Sequence, residues 1–131
     1  MRESHPEVCF WALSGGKPLG FNKKTDEGYI ERQNILQHLF PETEDIAKFS
    51  LEKFRRKDVA KDDILDAIVL AVTASSPPET IVTVPETPPK DGHKLSMEIV
   101  YTNCWLDRNW DEIRFGDNQN PRVVQSGVLC F

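Results

Sequence analysis

Cysteine is scarce in this chain of 131 residues, and the spacing of the cysteines does not suggest disulfide bonds or metal binding. The 3 cysteines, Cys9, Cys104 and Cys130, are odd in number, lie far apart and form no Cys-x-x-Cys pair. This usage argues against a disulfide framework and gives no sign of a zinc site. We therefore expect a reduced, cytoplasmic protein.

Long hydrophobic runs are also lacking. No apolar stretch approaches the roughly 20 residues that span a bilayer, and residues 1–7 are polar, without the apolar centre of a secretory signal. Basic residues are not in excess either, since 21 Asp and Glu face 16 Lys and Arg. We expect one domain, no membrane contact and no global attraction to nucleic acid.

Three carboxylates stand at the start of an otherwise apolar segment, residues 61–74. The pattern predicts a helix in which Asp62 is the N-cap and Asp63 is a negative charge at the positive end of the helix dipole. Asp66 lies one turn inside, among apolar side chains, where an unpaired carboxylate is costly. It is therefore expected to reach solvent, pair with a cation or help to hold a metal ion. The simpler alternative is that the Asp residues cap the helix and that Asp66 is partly exposed.

The N-terminal segment is apolar from Val8 to Leu13, and Ser14-Gly15-Gly16 follows it. We predict a strand over residues 8–13 that the glycine turn terminates. If the extended conformation reaches further back, a period of two places four side chains on one side of the strand: Glu3, His5, Glu7 and Cys9. That side is either a site of carboxylates and an imidazole or a polar edge that faces solvent.

Two more helices are predicted before residue 61. The first runs from Asp26 to Leu39 with Thr25 as its N-cap, and the second runs from about Glu44 to Arg56. An apolar side of the second helix is marked by Ile46, Phe49 and Phe54.

After residue 75, the β-branched segment 80–84 and the alternating segment 94–101 predict two strands. The last thirty or so residues carry little periodicity. A short helix over 107–113 is predicted there, with a terminal strand over 128–131 as an option.

Basic residues are dense only in one region, which contains Lys48, Lys53, Arg55, Arg56, Lys57 and Lys61. A local basic patch can contact backbone phosphate even on an acidic protein. The alternative is a solvated helix end, where cations suit the negative end of the helix dipole.

Four motifs follow one another along the chain. They are Glu3-Ser4-His5-Pro6-Glu7-Val8-Cys9-Phe10, then Lys24-Thr25-x-x-Gly28 with Arg32, then Asp62-Asp63-Ile64-Leu65-Asp66-Ala67, and finally Pro88-Pro89-Lys90-Asp91 leading to Met97-Glu98-Ile99. Over residues 2–101 the sequence resembles the C-terminal half of the predicted RNase H-like nucleases, a group called domain of unknown function 429. The resemblance implies an α/β class, with α+β as the alternative. It implies a partial ribonuclease H-like fold with a mixed sheet and helices, whose N-terminal strands are missing. Residues 1–101 would form this half, and residues 102–131 an extra segment packed on the same domain.

The resemblance also implies a chemistry. In such folds, clustered carboxylates hold Mg²⁺ or Mn²⁺ for phosphodiester hydrolysis. Carried over by position, the catalytic metal ligands are Glu3 from a strand and Asp63 and Asp66 from the helix. Asp62 is either a cap or a further metal ligand. The residues expected to contact phosphate are Lys24, Lys53, Arg55 and Arg56.

The chain begins at Met1, just before the Glu3 motif, so the strand that carries the first catalytic Asp in such folds is expected to be missing. Two hypotheses follow. The first is a truncated, metal-dependent nuclease-like domain that acts on nucleic acid. On this hypothesis the domain is either still active or has lost its activity. The second is a non-catalytic self-association or protein-interaction module derived from the same fold. An exposed strand edge would favour a homo-oligomer, and aromatic residues within 102–131 are expected to cover apolar surface.

Overall fold

The computed structural model describes residues 2–103, which form a mixed α/β unit, as the class prediction required. Four helices come first and two short strands follow. In chain order the elements are α1 (Pro6–Leu13), α2 (Asp26–Leu39), α3 (Thr43–Lys53), α4 (Lys61–Ser75), a single 3₁₀ turn (Pro78–Thr80), β1 (Ile81–Val84) and β2 (Ile99–Thr102).

The two strands form an antiparallel pair in which Ile81 lies opposite Thr102 and Val84 lies opposite Ile99. Glu3 extends the sheet at one point, because it forms a single parallel bridge with Ile99, and the Val100 amide donates to the Glu3 carbonyl at 2.7 Å. The predicted strands are thus present, although the second is shorter than the predicted range 94–101.

The N-terminal prediction was wrong, because residues 8–13 belong to helix α1 and not to a strand. Pro6 occupies the first turn, where a missing N–H costs nothing, and Glu7 adds a negative charge at the positive end of the dipole. The side chains of Cys9, Phe10 and Leu13 are fully buried, at spacings that one helix face provides. The predicted alternation of Glu3, His5, Glu7 and Cys9 along a strand therefore does not exist, and neither does an unpaired edge of such a strand.

Helix α4 packs against α1, α2 and α3 and carries the centre of the core. Leu65 and Val69 of α4 are almost completely buried. One detail of the prediction was wrong: the N-cap is Ala60, not Asp62. The orphan amide of Ala60 donates to the Asp63 carboxylate at 3.3 Å, so Asp63 carries out the capping that was assigned to its neighbour.

Helices α2 and α3 lie where the sequence places them. The Oγ1 of Thr25 accepts from the Gly28 amide at 3.1 Å, which confirms Thr25 as the N-cap of α2. Helix α3 ends at Lys53, three residues before the predicted end. Its buried positions are Thr43 and Ala47, whereas the predicted apolar side is more than half exposed, at Ile46 (52%), Phe49 (59%) and Phe54 (51%).

Within residues 2–103, no helix is both long enough and apolar enough to cross a membrane. The helix predicted over 107–113 and the terminal strand option over 128–131 lie outside the described residues, as does most of the segment predicted to pack on this domain.

Candidate functional site

A partly buried ion pair joins the loop before α2 to helix α4. The ammonium of Lys23 donates to Oδ2 of Asp66 at 2.7 Å, and the side chains are 32% and 16% exposed. This hydrogen bond raises the pKa of Lys23 above its usual 10.5, against the opposing effect of burial. The negative charges of Asp66, Asp62 and Glu7 act in the same direction. Of the three outcomes predicted for Asp66, the structure contains pairing with a cation.

The second carboxylate oxygen of Asp66 is in a different situation. Its Oδ1 is buried and has no hydrogen-bond partner among the residues that the structure describes. A buried oxygen that lacks a partner costs free energy, and each exception in a folded protein calls for an explanation. A carboxylate oxygen of this kind is a suitable acceptor for a water molecule or a ligand for a hard cation.

A second ion pair, between Glu7 of α1 and Arg32 of α2, lies beside the first. The guanidinium donates twice to the carboxylate, from Nε to Oε1 at 3.1 Å and from Nη2 to Oε2 at 2.7 Å. The Nη1 of Arg32 donates to the carbonyls of Gly28 at 2.9 Å and Phe21 at 3.3 Å. With only 4% of its side chain exposed, Arg32 ties two helices and a loop together.

The loop over residues 20–25 holds Lys23 in place. The carboxylate of Glu31 accepts from the amides of Gly20 at 2.8 Å and Phe21 at 3.1 Å. At the other end of the loop, Asn22 passes so close to Gly28 that a Cβ on that glycine would lie 1.9 Å from the Asn22 carbonyl oxygen. The motif Lys24-Thr25-x-x-Gly28 thus describes a loop fastened to the first turn of α2.

The acidic residues predicted as metal ligands are not gathered into one group. Glu3 is exposed at the sheet edge, Asp63 is exposed and accepts from the Ala60 amide, and Asp66 is bound to Lys23. Asp62 is half-buried, and its charge acts on Lys23. In the described part of the chain, no three or more His, Cys, Asp or Glu residues are placed to hold a metal ion. The described donor set therefore does not fit Mg²⁺ or Mn²⁺ as a three-carboxylate site, and the ligand assignment stays a prediction.

The residues predicted to contact phosphate are exposed but occupy two places in the chain. Lys24 lies in the loop before α2, whereas Lys53, Arg55 and Arg56 lie at the end of α3 and just after it. Arg55 forms an exposed ion pair with Asp58 at 2.9 Å. The ammonium of Lys53 lies 5.3 Å from the ring centroid of Phe49.

Sequence reasoning did not find Lys23, which is the cation beside Asp66. The two residues are 43 positions apart, and local spacing carries no signal over such a distance. The motif with Gly28 and Arg32 marked the right loop, but it drew attention to Lys24 instead of its neighbour.

These features define a mixed α/β domain in which one ion pair joins α1 to α2 and another joins the loop before α2 to Asp66 of α4. The chain belongs to the family described as "Protein of unknown function (DUF429)", which matches residues 1–90. It matches no curated protein and no solved structure.

Proposed function

We propose that this domain is a non-catalytic interaction module derived from an RNase H-like nuclease fold, in which the ammonium of Lys23 takes the place of a divalent cation beside Asp66. The observation that carries the proposal is the 2.7 Å contact between Lys23 Nζ and Asp66 Oδ2. An ammonium neutralises a carboxylate but offers no open coordination position for water, which metal-assisted hydrolysis requires.

Two other carboxylates of the candidate site support the same proposal. Glu7 is bound by Nε and Nη2 of Arg32, and Asp63 accepts from a helix N-terminal amide. These carboxylates have partners within the protein, so they stabilise the fold instead of standing open for a ligand.

Calorimetric titration with Mn²⁺ and with Mg²⁺ tests this proposal. We expect no binding up to millimolar metal for the intact chain, for Lys23→Met or for Asp66→Asn. Thermal melting of the same proteins should show that both variants are less stable and that Mn²⁺ does not restore Lys23→Met. Metal binding by the intact chain that disappears in Asp66→Asn would overturn the proposal.

A second candidate, the metal-dependent nuclease, is favoured by one observation: Oδ1 of Asp66 is buried without a partner in the described part of the chain. On this hypothesis Asp66, Glu3 and Asp63 would hold Mg²⁺ or Mn²⁺ with Asp62 as a further ligand. These carboxylates, which the structure holds apart, would have to come together, and Lys23 would have to release Asp66. Cleavage assays on single-stranded, duplex and hybrid substrates test it, and Asp66→Asn should abolish cleavage. A Lys23→Met variant that binds Mn²⁺ more tightly than the intact chain would support this candidate over the first.

A further inference from the structure

Exposed aromatic and basic side chains follow one another along the second half of α3 and in the residues just after it. We call this region the α3 surface, and it consists of Ile46, Phe49, Lys53, Phe54, Arg56 and Lys57. The two phenylalanine side chains are 59% and 51% exposed, which is unusual for residues of this size. The α3 surface is separate from the ion pair at Asp66 in sequence and belongs to another helix.

The exposure follows from the direction in which α3 packs. Thr43 and Ala47 are buried one turn apart, so they define the side that faces the core. Ile46, Phe49 and Lys53 recur at spacings of three and four and form a second side of the helix, which carries two apolar residues and a lysine. Exposed apolar side chains that lie next to each other are typical of an interaction site.

The charge on this surface is positive although the whole chain carries a net charge of −5. Lys53, Arg56 and Lys57 are all exposed, and among residues 2–103 none of them forms an ion pair. Arg55 is held by Asp58 and is not counted as part of the surface. The ammonium of Lys53 lies over the Phe49 ring at 5.3 Å, so a positive charge stands directly beside an exposed aromatic face.

We propose that the α3 surface binds single-stranded nucleic acid, with Phe49 and Phe54 stacking on bases and Lys53, Arg56 and Lys57 contacting phosphates. Proteins that bind single strands without sequence preference combine these two elements, aromatic platforms and backbone-tracking cations. A duplex hides its base faces inside the stack, so it offers phosphates and base edges but no face on which a phenylalanine can stack. This inference goes beyond the proposed function, because it holds whether or not the site at Asp66 is catalytic.

The distribution of acidic residues favours a nucleic acid over an anionic membrane. Helices that lie on membranes carry basic residues along their whole polar face. In α3, Glu44 and Asp45 occupy the first turn, and an extended anionic lipid surface would repel them. A single strand can instead follow the basic end alone.

Fluorescence anisotropy with a labelled oligothymidine tests the proposal, and the matching duplex serves as the second probe. We expect the intact chain to bind the single strand more tightly than the duplex. Phe49→Ala and Phe54→Ala should each weaken binding about tenfold. A variant that combines Arg56→Gln with Lys57→Gln should lower the slope of log affinity against log salt by about 0.7 for each lost phosphate contact.

The control variants are Leu95→Ala and Lys90→Gln, which remove one exposed apolar and one exposed basic side chain elsewhere. Both should bind the oligothymidine like the intact chain, and thermal melting should confirm that every variant is folded. Equal binding to duplex and single strand, or unchanged binding by both phenylalanine variants, would overturn the proposal. Binding to vesicles of phosphatidylserine and phosphatidylcholine without binding to the oligonucleotide would also overturn it, in favour of a membrane surface.

The same measurement separates this inference from the proposed function. Lys23→Met and Asp66→Asn alter the site at Asp66 and leave the α3 surface intact. We expect both variants, if folded, to bind the single strand with unchanged affinity. Loss of binding in these two variants with retention in the phenylalanine variants would place the nucleic-acid site at Asp66 and overturn the inference about α3.

Discussion

Gly28 lies so close to Asn22 that the chain leaves no room for a side chain. A Cβ at this position would lie 1.9 Å from the carbonyl oxygen and 2.6 Å from the carbonyl carbon of Asn22, both of which are backbone atoms that cannot rotate away. Helix propensity alone would make Gly28→Ala stabilising by about 1 kcal/mol. We expect the opposite sign, a loss of ~2 kcal/mol or more, because the loop must move. Urea denaturation measures the change in the free energy of unfolding.

Gly92→Ala is the matched control, since a Cβ there would meet nothing within 4 Å. The control should change stability by less than about 0.5 kcal/mol. If Gly28→Ala is as stable as the intact chain, the close approach between α2 and the loop over residues 20–25 is not required by the fold.

The ion pair of Lys23 with Asp66 makes the stability of the folded state depend on pH in the alkaline range. The pKa of Lys23 is raised above 10.5 by its hydrogen bond to Asp66, so the pair stabilises the folded state fully below about pH 10.5. This stabilisation is lost as the pH rises through the higher folded pKa. We expect Lys23→Met to unfold more easily than the intact chain near neutral pH, by about 2 kcal/mol, because Asp66 is left partly buried and without its cation.

The difference between the two proteins should stay constant up to about pH 10.5 and shrink above it. Denaturant titrations at several pH values measure it, and Lys24→Met, a change at the neighbouring exposed lysine, is the control. A difference that is already absent near neutral pH would mean that the ion pair makes no net contribution.

At the scale of elements, Arg32 connects α1, α2 and the loop that carries Lys23. The guanidinium of Arg32 donates four hydrogen bonds. Two go to the carboxylate of Glu7, and the other two go to the carbonyls of Gly28 and Phe21. Lysine has a single nitrogen and cannot reproduce this geometry. We expect Arg32→Lys to destabilise the fold by about 3 kcal/mol, and urea denaturation measures the change.

The exposed pair of Arg55 with Asp58 provides the control, because Arg55→Lys should cost less than about 0.5 kcal/mol. A double-mutant cycle with Glu7→Gln isolates the contact. If the effects of Arg32→Lys and Glu7→Gln simply add, the two side chains do not act as a clamp.

The helices differ in how well the sequence predicts them, and the reasons are local. Thr25, as the N-cap, and the periodic apolar residues after it predict α2. A long apolar segment that ends at Ser76 and Pro77 predicts α4. α1 was missed because its apolar run resembles a strand, although Pro6 followed by Glu7 is typical of a helix start. Gly15 and Gly16, both with positive φ, suit the end of a helix as well as a turn after a strand.

The candidate site was predictable only in part. The position of Asp66 inside an apolar helix required a partner, and the structure provides one. The identity of that partner depends on a loop pinned by Glu31, Arg32 and Gly28, which is a tertiary arrangement. Patterns along the chain report which residues share a helix face, but they do not report which loop approaches it.

At the scale of the whole molecule, the sheet has one edge that the described part of the chain leaves open. Within residues 2–103, β1 pairs only with β2, while Glu3 occupies one point on the other edge of β2. An open edge is a template for pairing with another chain. If copies of this module self-associate through a strand edge, we expect β1 to be the contact strand, in place of the N-terminal strand that the sequence had suggested.

Val84→Lys tests this contact, because Val84 lies on β1 and is 44% exposed, so we expect the monomer to accept a polar side chain there. A lysine on an edge strand opposes pairing between copies through charge repulsion. In sedimentation velocity experiments we expect the intact chain to dimerise as its concentration rises and Val84→Lys to remain monomeric. Leu95→Lys, at a more exposed site outside both strands, should dimerise like the intact chain. If the intact chain is monomeric at every concentration, the open edge of β1 is not used for self-association, and the interaction module must have a different partner.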